Sequence, residues 1–142
     1  MIAKAATISH GGNAVRYSVN KDKAEIVKVN FLPDDISAEA MFQRMVLKQK
    51  EFSSIINKGR PLKRNVIRME ISPTKEESAG WTLADWVRLA NEYIRVFDSI
   101  DLSKKAKRAS AKFTNVKNSQ YVVALHHDAK SGIPHLHIDV NR

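Results

Sequence analysis

Residues 119–141, SQYVVALHHDAKSGIPHLHIDVN, hold two apolar runs, 119–126 and 135–141, joined by a short loop that contains Gly132 and Pro134. Each run has the length and composition of a strand, and the loop between them is short enough to fold the two back on each other. Along a strand, residues two apart share a face. His135, His137, Asp139 and Asn141 therefore line one face of the second run, while Leu136, Ile138 and Val140 line the other. In the first run the bulky Tyr121, Val123 and Leu125 form the set expected to face the core, with His127 in phase. Val122, Ala124 and His126 fall on the opposite side, read here as the outer face.

Upstream, residues 2–9, 25–31 and 65–71 read as further strands. The last of them alternates cleanly, with Ile67, Met69 and Ile71 on one side and Arg68 and Glu70 on the other. The pair Gly11-Gly12 is expected to break the first strand, after which Asn13 caps a short helix running to Asn20. Ser37 is a plausible N-cap for a long helix ending near Ile56, with Met41, Met45, Phe52 and Ile56 at helical spacing. Thr82 and Asp85 make a capping box for a second long helix, whose apolar stripe takes in Trp86 as a core residue. Strands interrupted by helices predict an α+β fold, a largely antiparallel sheet with helices mainly on one face, as one domain over 1–142. Arg142 follows the last strand directly, so the chain is expected to continue in a longer protein.

The chain has 142 residues, 24 lysines and arginines against 15 acids, and a net charge of +9. Cysteine is absent, which excludes disulfides and thiolate metal sites. No apolar run approaches a membrane span, and the amino terminus lacks the pattern of a signal peptide, so a cytoplasmic location is the default expectation. The basic excess favours a polyanionic partner, nucleic acid first. Between Asp101 and Asp128 there is no acid, while Lys104, Lys105, Lys107, Arg108, Lys112 and Lys117 fall inside; Lys58, Arg60, Lys63 and Arg64 form a second run. Such runs suit phosphate contacts, which supply affinity without reading sequence.

Four of the five histidines fall within twelve residues, 126–137. Two imidazoles on one strand face, with a third from the neighbouring strand, would supply three neutral nitrogens and leave coordination positions open, as a catalytic metal requires. Phase selects His126 as the third ligand, beside His135 and His137; His127 stays the alternative. Asp128 could orient a ligand imidazole. A divalent ion beside a basic surface can polarise a phosphoryl oxygen, and tyrosine can attack phosphorus to give a covalent intermediate. Of three tyrosines, Tyr121 lies in an apolar strand face and Tyr93 on a helix among aliphatic residues. Tyr17 instead follows Gly11-Gly12, adjoins Arg16 and precedes Lys21 and Lys23.

Three segments, in order, carry a likeness to a known family: SHGGNAVRYSVNKDKA (9–24), MEISPTKEESAGWTLADW (69–86) and HHDAKSGIPHLHIDVNR (126–142). The chain resembles the relaxases, or mobilisation nucleases, within the HUH endonucleases. The resemblance implies that Tyr17 is the nucleophile and that His126, His135 and His137 hold Mg2+ or Mn2+. It further implies that Ser72, in the Ser-Pro turn, helps to hold DNA near the nick. Nine positions separate His126 from His135, against the family's usual spacing of about eight, which keeps His127 in play. The implied activity is nicking of one strand at an origin of transfer through a 5′-phosphotyrosine, in a bacterial cytoplasm, with accessory mobilisation proteins as potential partners. Candidate DNA contacts are then Arg16, Lys21, Ser72, Lys104, Lys105 and Arg108. The rivals are a replication initiator or transposase of the same superfamily, a non-catalytic basic nucleic-acid binding module, and a small-phosphoester hydrolase.

Overall fold

The computed structural model describes residues 1–56, 58–104 and 111–142. In chain order the elements are β1 (Ile2–Ile8), α1 (Gly11–Asn20), β2 (Glu25–Asn30), α2 (Ala38–Ile56), β3 (Val66–Ser72), α3 (Leu83–Asp98), β4 (Tyr121–His126) and β5 (His135–Asn141), with short 3-10 turns at Leu102–Lys104 and Val116–Asn118. The strands form one five-stranded sheet in the order β1-β3-β5-β4-β2. Every neighbouring pair runs antiparallel. The fold is α+β, as the alternation of strands and helices requires.

Strand pleating gives the sheet two buried faces. On one, Met69, Ile71, Tyr121, Val123, Leu125, Leu136, Ile138 and Val140 pack with Trp86, Ala90 and Ile94 of α3. That helix starts at the capping box read from the sequence, with Thr82 and Asp85 bonded reciprocally. On the other face Val66 and Val122 meet Val15 of α1 and Met41 and Met45 of α2. Two of the three helices thus lie on one face and the third on the other.

Three local expectations need correction. Gly11 and Gly12 do not separate β1 from the helix; they are the first two residues of α1. The physical reason is close approach: a Cβ on Gly11 would lie 2.4 Å from Cγ2 of Val66 and 2.6 Å from Oδ1 of Asn65. The face of Val122, Ala124 and His126 is not an outer one, because α1 and α2 cover it and all three residues are buried. Alternation in β4 was apolar against apolar, so hydropathy alone did not show a second core. On α2, Met41 and Met45 are buried but Phe52 is exposed, with Lys48 Nζ 5.4 Å from its ring centroid.

Candidate metal centre

Strand pairing brings the histidines together. His126 and His135 are register partners across β4 and β5, and Ala124 is the partner of His137. With a period of two, all three imidazoles project to the face covered by α1 and α2. Their ring centroids are 4.4 Å (His126–His137), 5.0 Å (His135–His137) and 5.5 Å (His126–His135) apart. One nitrogen from each ring lies within 4.8 Å of the others, a spacing that could hold a metal ion. His127 is outside this cluster: it follows the last residue of β4 and its Nε2 lies 3.0 Å from a Glu25 carboxylate.

Burial shapes the chemistry of the cluster. His126 is 1% exposed and His137 4%. Desolvation and the nearby Arg68 cation hold His137 down at about 3, and desolvation likewise lowers His126. Both rings are therefore neutral near pH 7, the form that ligates a metal. The Nε2 of His126 donates to the Ser18 carbonyl at 2.8 Å, since a carbonyl can only accept. That leaves Nδ1 of His126 with a lone pair, and it is buried without a hydrogen-bond partner, as are Nε2 of His137, Nε of Arg68 and Oδ1 of Asp139. Native proteins rarely leave buried polar atoms orphaned unless a ligand or solvent uses them. The donor set of three imidazoles fits a divalent cation.

Tyr17 lies at this cluster. The turn geometry of α1 places it over the sheet with its ring centroid 5.3 Å from His126 and 5.7 Å from His137. Tyr17 as a residue is 43% exposed. Two cations flank it: Lys21 Nζ and Arg68 Cζ each sit 5.0 Å from the ring centroid. Tyr121 is buried in the core on the opposite face, and Tyr93 packs beside that core.

The remaining candidate residues divide. Lys21 pairs with Asp128 at 3.0 Å, which holds the Asp128 carboxyl below its ordinary value and raises the lysine. Asp128 Oδ1 is 3.8 Å from Nδ1 of His126, so it borders the cluster, but the partner that orients His126 is the Ser18 carbonyl. Arg16 is on α1 one residue before Tyr17, paired with Glu39 at 2.9 Å. Asn13, Arg16, Tyr17, Asn20 and Lys21 line one open depression of about 370 Å³. Ser72 ends β3 one step past the Ile71–Leu136 pair, on the side of His135. Lys104 ends the 3-10 turn that follows α3, the helix packed on the opposite face of the sheet. Lys105 and Arg108 lie outside the described residues.

Sequence reading passed over Arg68, Glu70 and Ser18. Arg68 Nη2 is 3.0 Å from Nδ1 of His137, and Glu70 Oε1 is 3.8 Å from the same nitrogen. The signal was present: both alternate with Ile67 and Met69, which places them on the histidine face. Comparison with family models, characterised proteins and solved structures returns no match, so this chain's relationships rest on the geometry of its own residues.

Proposed function

We propose that the chain is a metal-dependent DNA-nicking domain of the relaxase kind, acting on single-stranded DNA at an origin of transfer, with Tyr17 as nucleophile. The observation that supports it most is the position of a tyrosine ring, on a residue 43% exposed, 5.3 and 5.7 Å from two of three clustered imidazoles. His126, His135 and His137 would hold Mg2+ or Mn2+, which when bound supplies polarisation of a phosphoryl oxygen and a fixed orientation for the phosphate.

Each residue then has a task. The Tyr17 oxygen forms a bond to phosphorus as the bond from phosphorus to the 3′ oxygen breaks. The DNA stays attached through a 5′-phosphotyrosine, and the strand on the other side is released with a 3′ hydroxyl. The phenol proton passes to solvent, and the departing 3′ oxygen takes one up. Arg68 and Lys21, each 5.0 Å from the ring centroid, place positive charge where the phosphate and phenolate carry negative charge. The basic excess of +9 supplies general attraction to the polyanion.

Incubation of the chain with labelled single-stranded DNA carrying a transfer origin and Mn2+ tests this directly. A protein–DNA adduct that survives a denaturing gel is expected, linked through Tyr17 and absent from Tyr17→Phe. Retention of the adduct in Tyr17→Phe would remove that residue from its role, and DNA binding with no adduct under any divalent ion would favour a binding module.

A further inference from the structure

Each of the three imidazoles has one nitrogen committed to a neighbour, and the chemistry of that neighbour fixes where the ring proton sits. The Ser18 carbonyl accepts from Nε2 of His126, leaving Nδ1 with a lone pair. The Ile133 carbonyl, 3.3 Å from Nδ1 of His135, likewise can only accept, so Nδ1 of that ring carries a proton and Nε2 faces no such partner. His137 is the reverse. Its Nδ1 faces Arg68 Nη2 at 3.0 Å, and a guanidinium can only donate. Nδ1 must therefore carry the lone pair, and the single proton of the neutral ring sits on Nε2, a buried atom with no acceptor. Two rings are set for ligation through the nitrogen their neighbours leave open, and the third is set against it.

The correcting group is already in place. Glu70 is the register partner of His137 across β3 and β5. Its Oε1 lies 3.8 Å from Nδ1 of His137 and 3.6 Å from Nε of Arg68. Its other oxygen is anchored by Lys4 at 2.7 Å. A carboxylate only accepts, so contact with Glu70 demands a proton on Nδ1 and frees Nε2 for an ion.

We propose that metal binding exchanges the partner of His137 Nδ1 from Arg68 to Glu70, making Glu70 the positioning residue for the third ligand and releasing the Arg68 guanidinium beside Tyr17. The ring proton moves from Nε2 to Nδ1 through solvent exchange, the ring stays neutral, and no net charge is created. Arg68 then has its donors available to a phosphate at the moment the ion is seated. The inference rests on the metal-centre reading of the histidines and deepens it.

Nitrogen-15 correlation spectra of the histidine-labelled full chain, with and without Zn2+ as a diamagnetic probe, report the tautomer of His137. The expected result is Nε2–H without Zn2+ and Nδ1–H with it. Calorimetry with Zn2+ supplies the second readout. Glu70→Ala is expected to bind about 10- to 100-fold more weakly, Glu70→Gln in between because its amide oxygen still accepts, and Arg68→Met more tightly than the parent chain. The same tautomer in both states, or unchanged affinity in Glu70→Ala, would overturn the proposal. Failure of the parent chain to bind Zn2+ would overturn it together with the metal reading. Tautomer exchange without any DNA adduct would sustain it and defeat only the nicking reading.

Discussion

The hydroxyl of Ser18 donates to Oδ2 of Asp139 at 2.5 Å, joining α1 to β5 across 121 positions of sequence. The same residue's carbonyl accepts from His126. One residue after Tyr17, then, the helix is fastened to both strands that carry the histidines. Ser18→Ala removes the hydroxyl and leaves Asp139, already short of a partner at Oδ1, wholly unpaired in a buried site. The expected cost is about 1–3 kcal/mol, read as a lower urea midpoint with an unchanged slope.

Gly11→Ala probes the same helix from its other end. The added Cβ would meet Val66 and Asn65 side chains at 2.4 and 2.6 Å and Phe42 at 2.9 Å. Overpacking of this sort costs about 1–3 kcal/mol, and the cheapest relief is to push α1 off the sheet. Under the nicking proposal, adduct formation is expected to fall while Zn2+ affinity holds. Equal loss of both would mean that α1 and the histidines move as one.

His137→Ala deletes the most enclosed ring of the cluster after His126. Its effect on Zn2+ affinity should exceed the roughly 10- to 100-fold typical of losing an orienting partner. Calorimetry giving the parental affinity would end the assignment of His137 as a ligand.

Proton linkage gives a signed expectation. His137 is held at about 3 in the folded chain and His126 is also lowered, against about 6.5 when unfolded. Their stabilising contribution is full above pH 6.5 and is lost as pH falls through that value toward the folded ones. His137 adds a slope of about 1.4 kcal/mol per pH unit once well inside its window, and His126 acts in the same direction. Asp139 works oppositely: burial raises it, so its contribution is greatest at low pH and declines as pH rises through its folded value. The contribution of His137, whose window runs from about 6.5 down to about 3, is expected to drop between pH 7 and pH 5 and to be read as lower urea stability. A flat profile there would contradict its burial.

Much of this was readable beforehand, and the misreadings have physical causes. The histidine face followed from the period of two in HLHIDVN, and the choice of His126 over His127 from the phase of Tyr121, Val123 and Leu125. What hydropathy could not show was that Val122 and Ala124 also face a core, because a strand buried on both sides has no polar phase to mark it. The alternation marks Arg68 and Glu70 only as the side opposite Ile67, Met69 and Ile71, because the Tyr17 ring beside Arg68 comes from α1, distant in sequence. The glycine pair misled because close packing and chain reversal ask for the same residue type.

Strand β5 is the middle strand of the sheet, hydrogen-bonded along both edges, whereas α1 lies over the sheet as a separate layer, joined to β5 through the Ser18–Asp139 bond. Amide protons of β5 should therefore exchange with solvent only on global unfolding, and those of α1 much sooner. The three imidazoles would then keep their arrangement through openings that loosen the helix carrying Tyr17.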